Sequence, residues 1–200
     1  LNVKSADVRT RETNMADFIA DTYRKATGAD VALANGGSIR ADATIAPGVL
    51  SKRDVLSMLP FNNRVVKIQI SGAILRSALE WGVASFGEEA QPGRFPQVSG
   101  IRYSYDASRK PGARLVSVTV NGKPLDDQQT YTLATTSYVA EDAGDGYTMF
   151  KGAAQLIPKA QQPLESEILQ KAIQSVPAIA PMLEGRITRV DTGKNLGSCP

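Results

Sequence analysis

Residues 13–40 constrain this chain more than any other stretch. Met15, Phe18, Ile19, Thr22, Tyr23 and Ala26 recur at helical spacing, with Thr13 or Asn14 as the cap and Gly28 as the stop. A short apolar run, Val31-Ala32-Leu33-Ala34, follows and reads as a buried strand. That strand runs into Asn35-Gly36-Gly37-Ser38-Ile39-Arg40. A buried strand ending in an amide, a glycine pair and an Arg delivers a polar grip to its own tip. Glycines there would let backbone N–H groups approach a ligand closely, because no Cβ stands in the way. Arg40 adds a planar charged fork suited to phosphate or carboxylate oxygens. A tight surface turn with an incidental Arg is the alternative, and the loop alone does not choose between them.

The remainder reads as an α+β single domain, a mixed β-sheet with flanking helices. Ser51 and Asp54 have the spacing of a capping box and open a brief helix that ends near Leu59 and Pro60. Val66, Ile68 and Ile70 alternate with Lys67 and Gln69 as a half-buried strand. A helix is expected over 72–84, with Ile74, Leu75, Ala78, Leu79 and Val83 inward. Ile101, Tyr103 and Tyr105 alternate with polar neighbours, and 106–112 is rich in turn formers. Residues 115–120 and 130–136 flank Asn121-Gly122-Lys123-Pro124, which predicts a hairpin between them. An amphipathic helix over 164–176 and a closing strand over 185–190 complete a domain at 1–190. Residues 191–200 carry no pattern and are expected to be a loose C-terminal tail.

Composition excludes several functions. The 200 residues include no His and a single Cys, Cys199, near the C-terminus. No internal disulfide is possible, and imidazole-based zinc, Ser-His-Asp and Cys-His machinery are all ruled out. No Asp-x-Asp-x-Asp loop is present for carboxylate-only metal binding. Neither catalytic nor metal-ligating residues are expected, so the chain either binds without doing chemistry or belongs to a parent whose chemistry lies elsewhere. The net charge of +3 is small and its basic residues are interspersed with acidic ones, which gives no basis for nucleic-acid binding. No apolar run is long enough for a membrane span. The chain opens Leu1-Asn2-Val3 with neither an initiating Met nor an apolar leader, as expected of a piece of a longer polypeptide.

Further loops offer ligand chemistry. Arg9 and Arg11 precede a helix start, where they serve either as an anion grip aided by the helix dipole or as a solvated basic lead-in. Phe61, in a polar turn, is either a core plug or an exposed stacking platform. Gly144-Asp145-Gly146 is a backbone pinch around one carboxylate, suited to hydrogen bonds from vicinal hydroxyls, or an ordinary turn. Residues 93–100 enter a strand and read as structural. Together these loops hold cations, aromatics, an amide and a carboxylate, a set that suits a phosphorylated sugar-base ligand.

Asn35-Gly36-Gly37-Ser38-Ile39-Arg40, Leu59-Pro60-Phe61, Gln97-Val98-Ser99-Gly100-Ile101, Arg109-Lys110-Pro111-Gly112 and Gly144-Asp145-Gly146-Tyr147 occur in this order. From about Arg9 to Val190 the chain resembles the C-terminal, substrate-binding domain of the 5'-nucleotidase family, which includes bacterial UDP-sugar hydrolases and 2',3'-cyclic-nucleotide phosphodiesterases. The resemblance implies a parent with an N-terminal metallophosphoesterase domain that holds two divalent metal ions and performs hydrolysis. This chain then supplies no cofactor site and grips the nucleotide or nucleoside. By the same resemblance Asn35 contacts the base and Arg40, after the Gly36-Gly37 turn, contacts the substrate. Arg9 is the upstream substrate arginine, with Arg11 competing for that place. Phe61 and Tyr138 sandwich the base, and Asp145 holds the ribose hydroxyls. The family commonly has Phe where this chain has Tyr138, and the loop from there to Asp145 is one residue longer, which leaves Tyr147 as an alternative ring. The family implies an extracytoplasmic address. A stand-alone nucleotide-binding module and the corresponding domain of a thiosulfate-oxidation hydrolase are the other readings.

Overall fold

The computed structural model describes residues 1–85 and 92–191. A short helix, α1 (Ser5–Val8), leads into α2 (Asn14–Thr27), whose start is capped by Thr13 accepting the Ala16 amide. α2 stops where Gly28 turns left-handed at φ 59°, a conformation glycine adopts without a Cβ penalty. The strand β1 (Val31–Asn35) follows directly. α3 (Lys52–Met58) begins with the reciprocal Ser51–Asp54 capping box expected from the sequence. β2 (Val65–Ser71) passes straight into α4 (Gly72–Gly82), with Ser71 capping that helix. Three strands come next, β3 (Pro96–Ser99), β4 (Ile101–Tyr105) and β5 (Leu115–Val120), then the short β6 (Lys123–Pro124). β7 (Thr130–Thr136) runs into a one-turn helix, α5 (Ser137–Ala140). β8 (Ala154–Gln155), α6 (Glu165–Gln174) and β9 (Ile187–Arg189) close the fold.

The strands form two sheets, in the orders β3-β1-β7-β2-β8 and β6-β5-β4-β9. β1 lies inside the first and is buried along its whole length. Because side chains alternate along a strand, β1 feeds two cores. Val31 and Leu33 pack with Val66, Ile68 and Ile70 of β2, Leu75 and Leu79 of α4 and Tyr103 of β4. Ala32 and Ala34 pack on the opposite face with Met15, Ile19 and Tyr23 of α2 and Ile168 and Leu169 of α6. The five-stranded sheet is therefore the wall between the two cores. This is the α+β arrangement expected, a single domain of mixed sheets with flanking helices.

The expected hairpin between 115–120 and 130–136 does not form. Asn121 (φ 49°) and Gly122 (φ 81°) make a tight turn that pairs β5 with β6 instead, Val120 opposite Lys123. Pro124 faces Thr119, and the Leu125 N–H still donates to the Val118 carbonyl at 3.0 Å before the strands part. The chain then crosses to the other sheet, where β7 lies between β1, parallel, and β2, antiparallel. Leu133, Ala134, Thr135 and Thr136 are all buried there, and an interior position is what such a strand requires.

Arg186 ties the C-terminal strand to α2 and β3. Its guanidinium reaches Asp21 at 2.8 and 2.9 Å and the Val98 carbonyl at 2.9 Å. Beside it Glu12 accepts the amides of Glu184 and Ile187. Asp17, 3.9 Å from the guanidinium and 2% exposed, is pushed up to about 8 by burial and by the Glu12 carboxyl beside it. Asp191 is buried and paired with Arg189 at 2.7 Å. The rest of the expected tail, including Cys199, lies outside the described residues.

Candidate functional site

The end of β1 builds one wall of a cleft. Gly36 and Gly37 open a 3₁₀ turn (Gly36–Ser38) in close quarters. A Cβ on Gly36 would stand 2.1 Å from the Val8 carbonyl oxygen, and one on Gly37 2.7 Å from Gly93 Cα. Their N–H groups donate to Phe95 O at 2.8 Å and Gly93 O at 2.7 Å. This corrects one expectation: the glycine pair lets the turn lie against neighbouring backbone, and its amides are engaged there rather than offered to a ligand. Gly37 still lines the cleft.

Phe61 and Asn63 stand on the segment between α3 and β2. That segment is fastened on both sides, to the start of α5 by Ser137 N–H donating to Arg64 O (2.8 Å) and to the start of α6 by Glu165 N–H donating to Asn63 O (3.0 Å). Phe61 is 43% exposed, so it is a platform and not a core plug. The Arg40 guanidinium lies 5.4 Å from its ring centre, within cation–π range.

The opposite wall is the turn after α5. Ala143, Asp145 and Gly146 have φ of 52°, 52° and 81°, a run of left-handed residues that presents Asp145 on a sharp corner. Trp81 of α4 braces the corner from behind, donating its indole N–H to Asp145 O at 2.9 Å. Gly146 has to lack a side chain, because a Cβ would stand 2.6 Å from that indole. Tyr138 lies across the front, 36% exposed, with a Cβ on Gly144 falling 2.3 Å from its ring. Its hydroxyl accepts the Asp145 amide at 3.2 Å and sits 3.3 Å from the carboxylate. Burial and the adjacent Asp145 charge hold that hydroxyl above its ordinary range, so it stays a neutral donor. Tyr147 packs behind the turn, fully buried, donating to Arg94 O at 2.5 Å and stacked on Phe150. Of the two tyrosines, Tyr138 is therefore the one on the cleft.

These walls enclose about 360 Å³, a volume in the range of small-molecule sites. Arg9, Asn35, Gly37, Arg40, Phe61, Tyr138 and Asp145 all line it, so the structure brings every expected site residue to one place. Arg11 is turned away into an ion pair with Asp7, which leaves Arg9 as the cleft arginine. Asn35 is only 1% exposed, its amide donating to Asp145 at 2.6 Å and accepting from Ser38. Ser38, Asn63 and Gly93 line the cleft as well and were not anticipated. Ser38 and Asn63 each lie within three residues of an expected site residue, a usable signal; Gly93 sits in the segment read as structural.

Asn63 donates to Glu165 at 3.0 Å, and Glu165 also accepts the Tyr23 hydroxyl at 2.6 Å. Burial pushes the Glu165 carboxyl up to about 7 even against these hydrogen bonds. Two guanidiniums face one carboxylate in the cleft, a balance that suits an anionic ligand carrying hydroxyl donors. The same donor set, with one carboxylate and no imidazole, does not fit a divalent metal centre. Among the described residues no group of three or more His, Cys, Asp or Glu side chains could hold a metal ion, and no helix is long and apolar enough to cross a membrane.

A family model described as 5'-nucleotidase, C-terminal domain, matches residues 1–152. The trifunctional nucleotide phosphoesterase protein YfkN of Bacillus subtilis is 36% identical over 194 residues, covering 92% of this chain and 13% of that protein. The crystal structure of a 5'-nucleotidase precursor from Thermus thermophilus superposes with a TM-score of 0.86 at 34% identity, over 96% of this chain and 38% of that one. The Thermus thermophilus sulfate thiohydrolase SoxB, 18% identical with a TM-score of 0.69 over 90% of this chain and 32% of its own, shares the fold alone. The chain belongs to the 5'-nucleotidase C-terminal domain family. It spans well under half the length of these relatives.

Proposed function

We propose that the cleft recognises a nucleotide whose hydrolysis is carried out elsewhere in the same polypeptide. One observation carries this reading: the half-exposed rings of Phe61 and Tyr138 open on the same cleft as the Asp145 carboxylate and the guanidiniums of Arg9 and Arg40. The base lies between the rings, the ribose diol donates to Asp145, and the arginines face the phosphate side. Stacking tolerates every base, so specificity for the base is broad. Hydrolysis would fall to an N-terminal metallophosphoesterase domain, whose two divalent metal ions would supply the Lewis-acid chemistry that no residue of this chain provides. The chain alone binds without hydrolysing, and its parent works outside the cytoplasm. A thiosulfate-oxidation role would leave two aromatic rings on the cleft with nothing to stack.

Calorimetric titration with adenosine, AMP and inorganic phosphate tests the reading. AMP is expected to bind more tightly than adenosine, and both more tightly than phosphate. Binding of phosphate with no binding of adenosine would replace this proposal with a plain anion site. Phosphate release from AMP by the full-length parent, and none by this chain, tests the division of labour.

A further inference from the structure

We propose that Asn35 and Ser38 are positioning residues that aim the Asp145 carboxylate at a ligand's vicinal hydroxyls, so that ribose selectivity is set from the end of β1. The proposal rests on the nucleotide reading above and gives Asn35 a different task from touching the base.

The amide orientation follows from chemistry alone. A carboxylate only accepts hydrogen bonds, so the Asn35 group 2.6 Å from Asp145 Oδ2 is its NH₂. The Asn35 carbonyl oxygen is then the atom that faces Ser38, and the Ser38 hydroxyl donates to it. With both ends of its amide engaged and 1% of its surface exposed, Asn35 is a strut between β1 and a turn 110 residues further along the chain. The second Asp145 oxygen lies 3.3 Å from the Tyr138 hydroxyl. Gly93 closes a further side: a Cβ there would stand 3.1 Å from both carboxylate oxygens. The carboxylate is thus hydrogen-bonded from β1 and from α5 and flanked by Gly93, and it lines the cleft. The turn itself supplies only the left-handed backbone corner, with φ 52° at Asp145.

The test measures affinity of the chain for adenosine and for 2'-deoxyadenosine, calorimetrically, in wild type, Asn35→Ala, Ser38→Ala and Asn35→Asp. Wild type is expected to favour the ribonucleoside. Asn35→Ala should lower adenosine affinity about tenfold and leave 2'-deoxyadenosine nearly unchanged. Ser38→Ala, which frees the amide to turn, should shift the ratio the same way by a smaller factor. Asn35→Asp places a second carboxyl against Asp145, and such a pair shares one proton. At about pH 5 the shared proton restores the hydrogen bond and the ribose preference, and at about pH 8 repulsion abolishes it. A role confined to folding would not produce acid rescue. A sugar ratio that is unchanged in Asn35→Ala, or flat with pH in Asn35→Asp, overturns the inference while leaving nucleotide binding intact. Failure of wild type to bind adenosine at all overturns the nucleotide reading and this inference with it.

Discussion

Tyr23 on α2 donates its hydroxyl to the buried carboxyl of Glu165 at the head of α6, 2.6 Å away. The other oxygen of that carboxyl holds Asn63 on the wall of the cleft, so the core between α2 and α6 and the ligand site share one titratable group.

That sharing predicts a pH-dependent stability. Burial raises Glu165 from 4.5 to about 7 in the folded chain. The folded state therefore holds a proton that the unfolded state releases, and stability from this source is fully present below about pH 4.5 and lost as pH rises through 7. The span corresponds to roughly 3 kcal/mol. Glu165→Gln stays neutral, so its urea midpoint should vary less between pH 5 and pH 7.5 than that of wild type. Equal slopes would show that Glu165 is not the source.

Asp17 extends the same trend. Raised by burial from 3.8 to about 8 despite the nearby Arg186, it also favours the folded state when protonated, and its contribution is fully present below about pH 4 and lost progressively as pH rises to about 8. Asp17→Asn should flatten the curve from about pH 4 to pH 8, including the stretch between pH 7 and pH 8 that Glu165→Gln leaves steep. Denaturation of the double variant, expected to be nearly level across both ranges, checks that the two groups act independently.

Phe61→Ala removes an exposed ring that no core depends on. Its effect on stability should fall within about 0.5 kcal/mol, the usual range for surface substitutions. Adenosine affinity should drop by roughly 1–3 kcal/mol, the value of one base–aromatic stack. Calorimetry together with a thermal melt separates the two effects, and an unaltered affinity would remove Phe61 from the site.

Gly144→Ala acts on the other ring. The new methyl would stand 2.3 Å from Tyr138 and must displace it. Adenosine affinity should fall about tenfold for a destabilisation of about 1–3 kcal/mol. Tyr138→Phe keeps the ring in place and loses only the contacts to Asp145, so its affinity should stay within about threefold of wild type. Similar losses in both variants would mean that the hydroxyl, not the stacking face, is what matters.

Arg40→Ala should weaken AMP more than adenosine, because the guanidinium faces the phosphate side in the proposed pose. A charged hydrogen bond is worth about 1.5–3 kcal/mol, so the AMP-to-adenosine affinity ratio should fall tenfold or more. Arg40→Lys should recover only part of it, since an ammonium lacks the planar fork. A ratio that does not move would place the phosphate elsewhere.

The helices were legible because their signals are local. Thr13 and Gly28 delimit α2, and Ser51 with Asp54 opens α3, through hydrogen bonds that span only a few residues. The strands were legible one by one from alternation, but their partners were not. Asn121 and Gly122 announced a turn without revealing that β7 would leave it for the other sheet, because pairing there depends on which buried strand needs covering on both faces. The site residues were named by an ordered set of motifs resembling a family, not by any pattern of period or charge.

The sequence by itself determined the caps, the buried run at β1 and the absence of histidine, which excludes an imidazole-based catalytic centre built from this chain alone. Only the tertiary structure decided that Phe61 is a platform, that Arg9 faces the cleft while Arg11 pairs with Asp7, and that Tyr138 rather than Tyr147 lies across its front. Each of these choices depends on what packs against a side chain from a distant part of the chain. Asn35 is the clearest case: its neighbours in sequence suggest a ligand contact, and a carboxylate 110 residues away makes it a strut.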